Sequence, residues 1–354
     1  MKKFPSIKSV QILNKSVFLR ADLDVPLSQQ ATIIDSIRLN AWLPTLKYLL
    51  NSRAKVIIAG HLGRPQKKFS ISNFQLSNTE REFSLAPVAK WIEKETGLKS
   101  HEAELGGFPG WKYADNLFLL ENLRFYKEEE ENNPEFAKRL ASLADIYVND
   151  AFAVSHRYNA SVSEIAKYLP HFAGFRLEEE VTALSKVLDE PKRPLVVIVG
   201  GIKIETKLPL IQKMSEIADH VLVGGKLAAE TEALSKVGES AVIAKLTEDG
   251  LDVTEESLRK FLEVVKTAKT IIWNGPLHKI PNTKYQISNS SSSELAQAII
   301  GSGAYSVVGG GDTIAFLDKE KLLDKFSFYS IGGGAMLAFL SGEKLPGLEA
   351  LIRG

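Results

Sequence analysis

Short apolar runs recur along the chain, and most are apolar throughout rather than alternating with polar residues. Runs at 16–19, 55–59, 117–120 and 145–149 form a first set. Runs at 195–199, 220–223, 270–273, 306–308 and 326–330 form a second. Unbroken runs of this length suit strands of a parallel sheet covered on both faces. Between them the apolar residues return at three- and four-residue spacing, which predicts helices at 37–50, 87–95 and 134–143 in the first half. In the second half the same spacing predicts helices at 208–217, 255–265, 293–300 and 312–317. Repeated strand–helix alternation marks an α/β fold with right-handed crossovers. The series runs twice. Between the two runs Gly174 precedes a helical stretch at 175–188, and Pro191 and Pro194 follow it. Stop signals at both ends predict a helix connecting two lobes. The expected fold class is therefore α/β, with two doubly wound, parallel-sheet (Rossmann-like) lobes joined by a hinge helix.

Composition narrows the chemistry. At 354 residues the chain is long enough for two domains with cores of their own. Lys plus Arg number 44 against 43 for Asp plus Glu, and this balance argues against a general binder of nucleic acid. The absence of cysteine excludes disulfides, thiolate catalysis, iron–sulfur clusters and cysteine zinc sites. No apolar run approaches a membrane span, and the basic N-terminal segment lacks the apolar stretch of a signal peptide. A cytoplasmic protein without a membrane partner is the expectation. The acidic run at 128–131 reads as solvated surface.

In doubly wound folds the functional residues follow the carboxyl ends of strands. In the first half these positions carry arginine. Arg20, Asp22, Leu23 and Asp24 follow the first run, and His61, Leu62, Gly63 and Arg64 the second. Glu121 and Arg124 follow the third. Asn149, Asp150 and then Arg157 follow the fourth, while Arg38 opens the first long helix. Planar guanidinium groups pair with carboxylate or phosphate through two parallel hydrogen bonds. Several of them at one crevice would bind a small, multiply charged anion such as a phosphorylated acid.

In the second half the equivalent loops are rich in glycine. Gly200 and Gly201 precede Lys203 and Lys207, two lysines four residues apart. Asn274, Gly275 and Pro276 end another strand. Gly310 and Gly311 precede Asp312 and Thr313 at the start of a helix, an arrangement that offers free N–H groups to phosphate. Asp312 could cap that helix or hold magnesium. Gly332, Gly333 and Gly334 follow the last strand and would supply donors to a phosphoryl group in flight. Neither GxxxxGK[ST] nor GxGxxG is present, which disfavours a nicotinamide enzyme. An anion-gripping lobe beside a phosphate-handling lobe suggests phosphoryl transfer between a nucleotide and a phosphorylated acid.

These residues resemble the phosphoglycerate kinase family. The likeness rests on RADLDVPL, GHLGRP, ENLRF, YVNDAF followed by SHR, PKRPLVVIVGGIK, WNGP, GGGDT and IGGGA followed by LPGLEAL, in the family's order along nearly the whole chain. The resemblance implies reversible, magnesium-dependent phosphoryl transfer from 1,3-bisphosphoglycerate to ADP, giving 3-phosphoglycerate and ATP, by a monomer. It implies a phosphoglycerate-binding lobe at 1–172, a hinge helix at 173–192 and a nucleotide-binding lobe at 193–335. A C-terminal segment at 336–354 would return to the first lobe. Closure about the hinge would assemble the site and exclude water. The phosphoglycerate site would use Arg20, Asp22, Leu23, Asp24, Arg38, His61, Leu62, Gly63, Arg64, Arg124 and Arg157. The nucleotide would meet Lys207, Gly224, Asn274, Gly275, Pro276, Gly310, Gly311, Asp312 and Thr313, with Asp312 on magnesium. Arg38, Lys203, Gly332 and Gly333 would serve the transferring group.

Three positions depart from the family pattern. Asp24 stands where asparagine is usual, Thr206 where aspartate is usual, and Pro281 where a glutamate holds the nucleotide ribose. A carboxylate at 24 should weaken anion binding unless it is paired. These departures motivate one alternative, a catalytically weak member kept as a ligand-binding or interaction protein.

Overall fold

A computed structural model describes residues 4–65, 81–202, 204–230, 234, 238, 240–278 and 290–352. The chain divides into two compact units. The first comprises residues 2–179 with 344–354, and the second residues 180–343. The division falls inside the helix Phe175–Asp189, so one helix contributes a segment to each unit.

The first unit is built on seven strands: β1 (Ser16–Arg20), β2 (Lys55–Ala59), β3 (His101–Leu105), β4 (Phe108–Ala114), β5 (Leu117–Leu120), β6 (Ile146–Asn149) and β7 (His171–Ala173). Their order across the sheet is β3-β4-β5-β2-β1-β6-β7. β5, β2, β1, β6 and β7 run parallel, while β4 is antiparallel to both β3 and β5. From β1 the chain first builds outward through β2 and later returns to the other side of β1 as β6. The strand order therefore reverses between β1 and β6, and that is where such sheets bind ligands. Register fixes what meets there. Arg20 stands opposite Ala59 on one side and Asn149 on the other, so the loops after β1, β2 and β6 begin side by side.

The parallel strands are fully buried along most of their length, as their unbroken apolar runs require. The helix Ile37–Asn51 covers the sheet with Leu39, Trp42, Leu43, Leu46 and Leu49, spaced three or four apart. Its first turn carries Arg38 to the carboxyl ends of the strands. The C-terminal helix Pro346–Ile352 belongs to this unit. It buries Leu348 and Leu351, and the Gly347 N–H donates to the carbonyl of Ser155 at 2.9 Å.

The second unit holds six parallel strands: β8 (Leu195–Val199), β9 (His220–Val223), β10 (Ala241–Ile243), β11 (Thr270–Asn274), β12 (Tyr305–Gly309) and β13 (Phe328–Ser330). Their order is β10-β9-β8-β11-β12-β13. Here the order reverses between β8 and β11. Val199 pairs with Asn274, and Asn274 with Gly309, so the glycine loops after β8, β11 and β12 start at one level. Two doubly wound α/β units rich in parallel sheet are the fold that the apolar pattern predicts, with the antiparallel β3–β4 edge added to the first.

Candidate active site

In the first unit the arginines converge. Four guanidinium groups, those of Arg124, Arg20, Arg157 and Arg38, act on the His61 imidazole and, after burial, are the main causes that hold its pKa well below the usual range. His61 is therefore neutral, with only 3% of its surface exposed. Burial and then Arg157 push the Arg124 guanidinium down to about 10, the cost of crowding like charges in a dry place. Such crowding of guanidinium groups favours an anion beside them.

Each member is held by local structure. Arg124 sits in the turn after β5, where the Asn122 side chain accepts its backbone N–H at 3.0 Å. Asn122 also donates to the carbonyls of Leu62 and Phe83, tying this turn to the loop after β2. Arg124 Nη1 donates to the Gly63 carbonyl at 2.7 Å. Gly63 has φ +61°, and a Cβ there would strike the Phe83 ring, so the loop requires glycine. Arg38 lies 3.5 Å from Asp22 and 3.7 Å from Asp24. Asp22 raises the pKa of Arg38, while burial lifts that of Asp22 against the pull of Arg38. Arg157 is half-buried, and its Nε lies 3.4 Å from His156.

Other positions take different roles. Arg20 is 1% exposed and spends all three guanidinium nitrogens inside the protein, on Ser161 Oγ, the Ala21 carbonyl and His61 Nδ1. Three of its five N–H donors are therefore taken inside the protein. Leu23 and Leu62 belong to the apolar core, so only their backbone can face a ligand. Arg64 is exposed, with no hydrogen bond or ion pair to another described residue. Glu121 and Asp150 make their hydrogen bonds elsewhere than to the arginines of this cluster, and the arginine whose charge acts on Asp150 is Arg176. Glu121 accepts the N–H groups of Leu85 and Asn122, and Asp150 accepts that of Leu177 in the connecting helix. The Asp24 carboxylate is paired: it accepts the Gly63 N–H at 2.8 Å and faces Arg38 and His61. The condition under which a carboxylate is tolerated at this position is met.

In the second unit a cleft of about 480 Å³ opens at the switch point. Its walls include Lys207, Asn274, Gly275, Pro276, Gly310, Gly311, Asp312, Thr313 and Gly333. Gly224, at the end of β9, and Gly332 lie outside that wall. Gly224 donates to the Val199 carbonyl and Gly332 to Ser330 Oγ. The loops approach one another closely: a Cβ on Gly275 would collide with the Gly200 carbonyl. The Gly275 N–H donates to Thr313 Oγ1 at 2.8 Å, so the buried Thr313 ties the β11 loop to the next helix. That helix, Gly311–Lys319, starts at Gly310 with φ +93° and no side-chain cap. Its first N–H groups remain available to an anion. Lys207 Nζ donates to the carbonyls of Gly200 and Asn274, which leaves one donor. Burial depresses its pKa to about 8, opposed by Asp312.

Asp312 is exposed in the first turn of this helix and lines the cleft. No group of three or more potential metal ligands exists among the described residues. One carboxylate beside a phosphate cradle fits magnesium, which keeps several waters and takes its other ligands from substrate phosphates. It does not fit a metal held by the protein alone. Lys203 and Pro281 lie outside the described residues.

One expectation is corrected. The acidic run at 128–131 is not wholly solvated surface, because Glu129 is 1% exposed. It sits in the helical turn Lys127–Glu130, and both its oxygens bind Ser161. Glu130 lies 3.6 Å from Arg124. Four acids in a row carry no period that separates an inward side chain from an outward one, so sequence spacing could not single out Glu129. Ser161 was equally hidden.

Matched against known families, residues 7–245 and 229–343 fit phosphoglycerate kinase. The chloroplastic phosphoglycerate kinase 1 of Arabidopsis thaliana is 35% identical, with 99% of this chain and 82% of that protein covered. The phosphoglycerate kinase of Desulforudis audaxviator is 36% identical, with 98% of each covered. Among solved structures, phosphoglycerate kinase from Coxiella burnetii superposes with a TM-score of 0.81 at 34% identity, covering 99% of each chain. The enzyme from Pyrococcus horikoshii gives 0.81 at 27% identity, covering 98% of each. All of these relatives are named as kinases, which lends no support to the non-catalytic alternative. The chain belongs to the phosphoglycerate kinase family.

Proposed function

We propose that the chain transfers a phosphoryl group reversibly between 1,3-bisphosphoglycerate and ADP, giving 3-phosphoglycerate and ATP. The observation that carries this reading is the contrast between the two switch points. One is rich in guanidinium groups, the other in glycine loops around a lysine and an uncapped helix. Guanidinium groups suit a compact acid bearing both carboxylate and phosphate. Backbone N–H groups suit a nucleotide's phosphate chain.

In this reading Arg38, His61, Arg124 and Arg157 bind and orient the phosphorylated acid. Asp22 and Asp24 hold Arg38. Lys207 and the first turn of the Gly311–Lys319 helix bind the nucleotide phosphates. Lys203, by its place in the family pattern, meets the transferring group. Magnesium, held by Asp312 together with substrate phosphates, would neutralise phosphate charge when bound. In-line phosphoryl transfer needs positioning and charge neutralisation rather than a covalent nucleophile. The residues assigned here supply cations and N–H donors, and no side chain is required to form a bond. The cytoplasm and a monomeric state complete the proposal. The cytoplasm is supported by relatives such as the cytosolic enzyme of Triticum aestivum, and the monomer rests on the family resemblance alone.

The test is ATP formation from 1,3-bisphosphoglycerate and ADP, with and without magnesium, in the wild type, Lys203→Ala and Arg38→Ala. Magnesium-dependent turnover that falls at least about 100-fold in each variant is expected. Unchanged turnover in both variants would overturn these roles. No turnover in folded wild type would overturn the reaction.

A further inference from the structure

Glu129, Ser161, Arg20 and His61 form a buried chain in which each hydrogen bond has one possible direction, and all of them lead away from Arg20. A guanidinium donates and never accepts. Arg20 Nε lies 2.9 Å from Ser161 Oγ, so the hydroxyl oxygen accepts there. Its one proton must then go to Glu129 Oε1, 2.6 Å away. The second carboxylate oxygen takes the Ser161 backbone N–H at 2.9 Å. At the other end Arg20 Nη2 lies 3.1 Å from His61 Nδ1, so that nitrogen must offer a lone pair. Burial and four guanidinium groups keep His61 neutral, and its one ring proton is therefore on Nε2. Nε2 lies 3.8 Å from Asp24 Oδ2, on the side where Arg38 also approaches Asp24. Glu129, Ser161, Arg20 and His61 are all at most 3% exposed, so water does not set these directions.

We propose that Glu129 is a positioning residue of the phosphoglycerate site. Through Ser161 it anchors Arg20, and the anchored guanidinium, donating to Nδ1, fixes His61 as the tautomer protonated on Nε2, so that the imidazole presents a donor to the bound acid. Burial lifts the pKa of the Glu129 carboxyl, and the Arg20 guanidinium and the Ser161 hydrogen bonds oppose that lift, favouring the carboxylate that accepts from Ser161. The relay itself is independent of the substrate, while its purpose rests on the function proposed above.

The two parts are separable by experiment. Nitrogen-15 spectra of histidine in the folded, ligand-free wild type should show His61 Nδ1 unprotonated and Nε2 protonated. Glu129→Gln offers Ser161 one acceptor in place of two, and Ser161→Ala removes the hydroxyl. In both variants Arg20 loses its anchor and should shift away from Nδ1, so the single-tautomer signature should be lost. The KM for 3-phosphoglycerate should rise about tenfold, with kcat and the KM for ATP within about twofold. Ser161→Ala is a small truncation and carries the test should Glu129→Gln fail to fold. A His61 signature unchanged in a folded variant, or a wild-type proton on Nδ1, would overturn the relay. A changed tautomer with an unchanged KM for 3-phosphoglycerate would overturn its positioning role. A wild type that does not bind 3-phosphoglycerate would sink the functional reading, with the relay still judged by the tautomer alone.

Discussion

Lys207 shows how far surroundings can set the chemistry of one residue. Burial depresses its ammonium to about pKa 8, against a small opposing pull from Asp312. A lowered lysine pKa means that the free protein loses this charge as pH rises through 8. A polyphosphate ligand favours the charged form and must restore the proton. ADP affinity should therefore fall above about pH 8, by up to about tenfold per pH unit. Lys207→Arg keeps its charge throughout and should bind ADP with no such decline. Titration calorimetry with ADP between pH 7 and 10 checks both. A wild type whose affinity is flat over that range would mean that Lys207 does not meet the phosphates. Asp24 makes the complementary point. Its departure from the family pattern is visible in the sequence, but its consequence is not, because the compensating Gly63 N–H comes from a loop 39 residues away.

At the scale of elements, legibility followed burial. β1, β2, β5, β8 and β11 were evident as unbroken apolar runs because both faces of each are covered. β3 and β4 carry no such run. They form an antiparallel edge hairpin in which β3 is exposed or half-buried and β4 carries Pro109 and Gly110. β7 and β10 span three residues each and are mostly half-buried or exposed, so neither is a strand covered on both faces. The glycine loops announced a phosphate site, yet their spacing alone could not show which glycines are obligatory. Gly310 is one of them. It has φ +93°, and a Cβ would lie 3.3 Å from the Asn274 side chain. Gly310→Ala should destabilise the second unit by about 1–3 kcal/mol and weaken ADP binding by moving the N-terminus of the Gly311–Lys319 helix. Gly311→Ala is the control, since open space surrounds a Cβ there, and it should cost far less. Urea unfolding of the two variants tests the comparison, and equal losses would refute the backbone argument.

Across the whole molecule, two units with separate sheets carry the two proposed anion sites. A ligand that binds only the folded form of one unit stabilises that unit by mass action. At 100 times its Kd, the fraction of time that the unit spends open should fall about 100-fold. Amide exchange resolves this strand by strand. With 3-phosphoglycerate alone, slowing should appear in β1 and β2 and much less in β8 and β11. With ADP alone, the pattern should reverse. Globally exchanging core amides are the ones to follow, because local fraying near a ligand would mimic the effect on one loop only. Slowing of both sheets by either ligand alone would mean that the units open together, and independent unfolding would be abandoned. Slowing confined to the sheet whose switch point is proposed for that ligand would assign each substrate to its unit without any measurement of turnover. The assignment then stands or falls separately from the catalytic roles of Arg38 and Lys203.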